Sequence, residues 1–214
     1  AVGSQRAVEA SGVPVMQVSV IICTYNRASR LRGVLQCLSN MEIPSGVQWE
    51  VLVIDNNSSD NTKGVAEEFS RILPIRYFFE PNQGLCYARN RGVKEAKGSI
   101  LAFTDDDALP DPRWISELIR AFKHQDCAGI GGRVIATWSF PKPEWLKAPG
   151  MEKLINGPIV SHDLGDVPRF YTYPGMPLLV GANMAFRREM FEKHGLFKTN
   201  LDRKGGALLS GGDT

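Results

Sequence analysis

The sequence predicts an α/β fold, an open and mainly parallel sheet with helices on both faces. Two observations predict it. From Val18 to about Ala136, short runs of branched and aromatic residues alternate with segments whose apolar residues recur at helical spacing, the pattern of βαβ units. Each run also ends in a polar cluster, as strands of an open parallel sheet do where they face a ligand crevice.

The first strand is expected over Val18 to Cys23, followed by a helix whose stripe is Leu31, Val34, Leu35 and Leu38. Glu50 to Ile54 reads as the second strand, and Val65, Phe69, Ile72 and Leu73 as the buried face of the next helix. Ile75 to Phe79 is the third strand, leading to a helix over Leu85 to Ala96. Ser99 to Phe103 is the fourth. A fourth helix should begin at Asp111-Pro112, with Asp as N-cap, Pro in the first turn and Trp114, Ile115, Leu118, Ile119 and Phe122 facing inward. A further strand is expected over Ala128 to Ala136, and a short helix over Arg187 to His194 stopped by Gly195.

Between Thr137 and Leu179 the regularity gives way to prolines, glycines and scattered aromatics, including Trp138, Trp145, Phe170, Tyr171 and Tyr173. A loop of that length in a compact domain points to function or mobility. The aromatics read equally as a stacking platform for a ligand and as a small core of the segment itself. Ala1 to Pro14 is small and polar, and reads as a disordered lead-in.

Composition narrows the partners. With a net charge of +2 and 22% charged residues, the chain has no basic excess to neutralise a nucleic-acid backbone, so nucleic acid is not an expected partner. Cys23, Cys37, Cys86 and Cys127 are scattered without a C-x-x-C pair and read as reduced cysteines. No apolar stretch of about 18 residues occurs, so no bilayer-spanning helix is expected. These features suit a cytoplasmic location and are compatible with peripheral association at the inner face of a membrane. His124, His162 and His194 share no ligand or triad spacing, and Gly129 to Val134 lacks the last glycine of G-x-G-x-x-G.

The strand ends carry the chemistry. The first runs into Thr24-Tyr25-Asn26-Arg27, the second into Asp55-Asn56-Asn57-Ser58-Ser59-Asp60, the third into Glu80-Pro81-Asn82-Gln83-Gly84 and the fourth into Thr104-Asp105-Asp106-Asp107. Ser59, Asp60 and Asn61 read as ordinary turn residues. Asp55 ends an apolar strand and can accept a hydrogen bond from a nucleobase N–H. Three adjacent carboxylates repel one another, and a divalent cation among them relieves the repulsion. Hard oxygen ligands in small number suit Mg²⁺ or Mn²⁺, completed by substrate phosphates. Asp111 already serves as the helix cap, which leaves the three upstream acids for another task.

Taken in order, Val20 to Arg27, Val53 to Asp60, Asn82-Gln83-Gly84 with Ala88-Arg89-Asn90, Asp105-Asp106-Asp107 and Gly181-Ala182-Asn183-Met184 resemble the inverting family-2 glycosyltransferases, whose fold is the Rossmann-like GT-A type. The resemblance implies a metal-dependent transfer of a sugar from a nucleotide-diphosphate donor to an acceptor hydroxyl, carbohydrate or lipid-linked, as in polysaccharide biosynthesis. It implies that Thr24, Tyr25 and Arg27 line the nucleotide pocket, with Asp55 at the base and Arg89 near the base or the diphosphate. In the family's D-x-D pattern Asp105 meets ribose or metal and Asp107 is the direct metal ligand, while Asp106 can share either task.

Gly181 and Asn183 fall in a segment that resembles the one facing donor sugar and acceptor, though it also reads as a buried turn, and Trp145 is a candidate for the acceptor platform. Gly211-Gly212-Asp213 resembles the family's late acidic motif, which makes Asp213 the candidate catalytic base. Residues 16–136 are then the nucleotide-sugar-binding half and 137–214 the acceptor-side region of one domain, cut short at its C-terminus. Two other readings stay open, a non-catalytic nucleotide-sugar-binding domain and a sugar-phosphate nucleotidyltransferase. The second usually needs a glycine-rich basic loop where this chain has Thr24-Tyr25-Asn26-Arg27.

Overall fold

A computed structural model describes residues 16–138, 141, 143–151, 162–171 and 179–201. Six strands form one sheet: β1 (Met16–Thr24), β2 (Gln48–Asp55), β3 (Ile75–Phe79), β4 (Ile100–Asp105), β5 (Gly129–Gly131) and β6 (Met184–Arg187). Their spatial order is β3-β2-β1-β4-β6-β5. β1 pairs in parallel with β2 and β4, and β2 with β3, whereas β6 runs antiparallel to both β4 and β5. The sheet is thus mixed and mostly parallel, and it is helix-covered on both faces as the sequence predicts.

Side-chain alternation divides the core into two layers. Val18, Val20 and Ile22 of β1, with Val51 and Val53 of β2, pack against α1 (Ala28–Leu38), α2 (Thr62–Phe69) and α4 (Trp114–His124). Ile21, Leu52, Ile54, Leu101 and Phe103 face the other way, onto α3 (Leu85–Glu95) and α5 (Arg188–His194). α3 lies so close to β1 that a Cβ on Gly92 would stand 2.5 Å from Ile21 Cγ2, which explains a glycine inside a helix where it is otherwise unfavourable. Under α5, the rings of Phe103, Phe186, Phe191 and Phe197 meet edge-on or tilted at centroid distances of 5.4–6.2 Å.

At the N-terminal end of the sheet, Glu50 is 2% exposed yet fully engaged. Its Oε1 accepts from Ser19 Oγ at 2.6 Å and from the Lys97 N–H at 2.6 Å, and its Oε2 accepts from Arg76 at 2.9 Å. Burial alone would raise the carboxyl's pKa, but these donors together hold it below its ordinary range. Arg187 and Arg188 close two helices: the first donates to the carbonyls of Phe122 in the last turn of α4 and of Cys127 beyond it, the second to those of Ala96 and Gly98 beyond α3.

Four expectations are corrected. α2 ends at Phe69, so Leu73 is buried but Ile72 is 66% exposed; Pro74 forbids continuation and turns the chain into β3. α4 begins at Trp114, because residues 112 and 113 form a turn in which Asp111 Oδ1 accepts the Arg113 N–H at 2.9 Å, one turn ahead of the helix. The strand expected over Ala128 to Ala136 is only Gly129–Gly131. The Gly132 N–H turns aside to the Asn183 carbonyl, and Val134 pairs instead with His162. β6 precedes the last helix, which therefore starts at Arg188. None of the four cysteines is in a disulfide, and no helix among the described residues is long and apolar enough to cross a membrane.

Candidate active site

Thr24, Asp55, Phe79 and Asp105 are the last residues of four parallel neighbours, and register places Thr24 beside Asp55, Asp55 beside Phe79 and Cys23 beside Asp105. The loops beyond them are pinned to one another. Asn26 Oδ1 accepts the Ser59 N–H at 2.7 Å, the Asn26 N–H donates to Ser58 Oγ at 2.9 Å, and Asp60 Oδ2 accepts the Ala28 N–H at 2.9 Å at the start of α1. Ser59 and Asp60 therefore do more than turn their own loop. Asn26 and Asn57 hold positive φ, 51° and 70°, the only non-glycine residues to do so among those described. Such backbone persists where surrounding contacts over-determine it, and it concentrates at ligand clamps.

A second latch involves Asn56. Its Nδ2 donates to the Asn82 carbonyl at 2.7 Å and its Oδ1 accepts the Gly84 N–H at 2.7 Å, so the β2 loop holds the entry to α3. Gly84 has φ 142°, which favours glycine at the junction that sets α3 and hence Arg89.

The three acids separate into distinct roles. Asp106 is 5% exposed; its Oδ2 accepts from Thr24 Oγ1 at 2.8 Å and its Oδ1 from Arg27 at 3.2 Å. Asp107 is half exposed and meets the same Arg27 nitrogen at 3.3 Å. Asp105, the last residue of β4, lies within electrostatic reach of Arg89 of α3 and of both neighbouring acids. Burial chiefly, and then repulsion from Asp107 and Asp106, raises the pKa of Asp105, with Arg89 opposing. Asp106 is raised by burial, opposed by Thr24 and Arg27. The Cys23 thiol beside them is pushed up to about 12, mainly by burial, and is inert as a nucleophile. Arg89 is 3% exposed and lies over the Phe197 ring at 5.5 Å. Tyr25 is 45% exposed at the rim.

These residues fit a divalent cation of a particular kind. Asp106 is buried and engaged by Thr24 and Arg27, whereas Asp107 is half exposed and its described contact is the longer pair to the same Arg27, so Asp105 and Asp107 are the better placed hard oxygen donors, whose mutual repulsion a cation would offset. Among the described residues no group of three potential ligands forms a protein-only cage. Mg²⁺ or Mn²⁺ needs none, since each is commonly held by one or two carboxylates and substrate phosphates.

The remaining described candidates are Gly181, Asn183 and Trp145. Gly181 is buried in a 3-10 turn (Gly181–Asn183) whose Ala182 carbonyl accepts from Thr104 Oγ1 at 3.1 Å, one residue before Asp105. The Asn183 amide is used at both ends: Oδ1 accepts from Trp114 Nε1 at 2.9 Å and Nδ2 donates to the Arg133 carbonyl at 2.9 Å. Trp114→Phe, which removes that donor, is expected to cost about 1 kcal/mol in a denaturant melt. Trp145 sits on a 3-10 turn (Glu144–Lys147), 60% exposed, with no described contact to the strand ends. Phe170 is also exposed, so these two do not form a core. Asp213 and Tyr173 lie outside the described residues.

The model of the family described as glycosyl transferase family 2 matches residues 19–195. A glucosyl-dolichyl phosphate glucuronosyltransferase of Haloferax volcanii is 26% identical over 89% of this chain and 58% of its own length. The succinoglycan biosynthesis protein ExoM of Rhizobium meliloti is 25% identical over the same shares. The chain thus spans little more than half of these relatives. Among solved structures, the mannosyltransferase PcManGT from Pyrobaculum calidifontis, in complex with GDP-Man and Mn²⁺, superposes with a TM-score of 0.62 at 22% identity, covering 88% of this chain and 50% of its own. TarS 1–349 of S. aureus in complex with UDP gives 0.59 at 19% identity, over 87% and 51%. These likenesses establish the GT-A fold.

Proposed function

Because the chain belongs to glycosyl transferase family 2, we propose that it binds a nucleotide-diphospho-sugar with Mn²⁺ or Mg²⁺ at the C-terminal edge of β1, β2 and β4 and transfers the sugar, with inversion, to an acceptor hydroxyl. The convergence of Thr24, Asp55 and Asp105 to Asp107 with Arg27 and Arg89 at one sheet edge carries the reading, since ligands of open α/β sheets bind beyond the carboxyl ends of the strands.

On this reading Asp55 receives the base, Tyr25 flanks it, and Arg27 and Arg89 face the diphosphate. Asp105 and Asp107 hold the cation, which when bound offsets charge gathering on the leaving diphosphate. Asp106 keeps Thr24 and Arg27 in place. Asp213 takes the proton of the acceptor hydroxyl, whose oxygen forms the new bond to the anomeric carbon as the bond to the diphosphate oxygen breaks and the nucleoside diphosphate departs. One displacement inverts the centre. Residues 137–214, with Trp145 and the Gly181–Asn183 turn, form the acceptor side, and the acceptor is a carbohydrate or a lipid-linked sugar met by peripheral association with a membrane.

Incubation with Mn²⁺ and a panel of nucleotide-sugars checks this. Thermal stabilisation by at least one uridine, guanosine or thymidine diphosphate that disappears on chelation is expected, because a ligand of the folded state raises stability with the logarithm of its excess. Equal stabilisation with and without metal would refute the metal-dependent reading, and affinity without turnover in any acceptor mixture would leave a binding domain.

A further inference from the structure

Tyr77 lies in the middle of β3, where register sets it beside Val53, two residues short of the strand edge. Its hydroxyl reaches forward to the neighbouring strand's last residue and donates to Asp55 Oδ2 at 2.6 Å. The other carboxylate oxygen, Oδ1, accepts the Ser58 N–H at 2.8 Å. Each oxygen of Asp55 is thus tied by one donor, which fixes the plane of the carboxylate and leaves it able to accept, not donate, toward the crevice. Asp55 is only 3% exposed, so the remaining approach is narrow, and Phe79 beside it presents a half-exposed ring.

Burial and the adjacent Asp55 both push the Tyr77 hydroxyl's ionisation well above its ordinary value, so it remains a donor throughout the working pH range. The ring itself packs against the α1–α2 layer of the core, which holds the hydroxyl at its post. Nothing in the proposed transfer uses this residue.

We infer that Tyr77 is a positioning residue that fixes the plane of the Asp55 carboxylate and thereby sharpens the choice of a donor base carrying a ring N–H, uracil, thymine or guanine, over one that presents a bare ring nitrogen there. Adenine and cytosine offer a bare ring nitrogen at that position, which would face an acceptor and be repelled, and bringing their neighbouring amino group to Asp55 instead requires the base to shift against a carboxylate whose plane is fixed. This rests on the reading that a nucleotide occupies the sheet edge.

The test is titration of the full chain with UDP, GDP, dTDP, ADP, CDP and inorganic pyrophosphate in the presence of Mn²⁺, for the unmodified protein, Tyr77→Phe and Asp55→Asn. The unmodified chain is expected to prefer one of the first three over ADP and CDP by tenfold or more, about what one buried hydrogen bond confers. Tyr77→Phe should lower affinity for that nucleotide about tenfold while leaving pyrophosphate, ADP and CDP unchanged, so the preference collapses. Asp55→Asn, which turns one acceptor into a donor, should favour ADP or CDP. Parallel losses for every ligand in Tyr77→Phe, or an undiminished preference, would overturn the inference and leave the nucleotide site standing. Should Tyr77→Phe not fold, an unchanged preference in Asp55→Asn overturns it. Failure of the unmodified chain to bind any nucleoside diphosphate overturns the site itself.

Discussion

Replacing Glu50 by Ala is expected to lower the unfolding free energy by about 3 kcal/mol at pH 7, because removing one partner of a buried, hydrogen-bonded ion pair strands the others. Ser19 Oγ, the Lys97 N–H and Arg76 would each lose a partner within the N-terminal end of the sheet. Glu50→Gln keeps the shape and an acceptor, and should cost less. The pH dependence has a definite sign. A carboxyl whose folded pKa is depressed binds its proton more weakly folded than unfolded, so its stabilisation is fully present above the unfolded value, about 4.3, and is lost as pH falls through the folded one. Denaturant melts from pH 7 to pH 3 should therefore show a slope over the acid range that is shallower in Glu50→Gln. An identical slope, or a loss under 1 kcal/mol in Glu50→Ala, would mean that the network is dispensable.

Asp107→Ala is expected to weaken Mn²⁺-dependent binding of a nucleoside diphosphate on the order of 100-fold, about 2.8 kcal/mol. Asp107 is half exposed, and its described contact is a long ion pair to a solvent-facing arginine, so its removal costs the fold little. Its carboxylate is one of two left for a cation, so its removal costs the ligand much. Asp106→Ala should behave differently. It strands Thr24 Oγ1 inside the protein and releases Arg27, and both stability and affinity should fall. Calorimetric titration of the two variants beside their melting curves separates the roles, and equal effects of both substitutions on stability and on affinity would contradict the division of labour among the three acids.

Strands β1 to β4 were legible because each is a run rich in branched and aromatic residues that leads into polar ones, and helices α1 and α4 because their stripes coincide with their buried faces. β6 was not. Four residues, Met184 to Arg187, are too few for alternation to register, and their place beside β4 depends on a chain reversal far along the sequence. The site divides in the same way. Which residue types crowd the edge follows from where each strand stops. What each side chain touches does not: Asp106 turns inward to Thr24 across 82 positions, and Tyr77 finds Asp55 across 22. Asn26 and Asn57 carried one signal, since asparagine is the non-glycine residue that best tolerates positive φ. Asn183 read as a sugar contact, whereas its amide is taken up by Trp114 and Arg133, and contact with a ligand would require those bonds to yield.

The most direct measurement is paramagnetic broadening of backbone amide signals by Mn²⁺ in the presence of a nucleoside diphosphate that stabilises the chain. Binding at the proposed edge predicts that signals of Thr24 to Arg27 and Asp105 to Asp107 vanish first, while those of Gln48 and Gly98, at the opposite end of the sheet, persist. Broadening centred on that opposite end, or absent from Asp105 to Asp107 at saturating nucleotide, would contradict the assignment of the metal-diphosphate site.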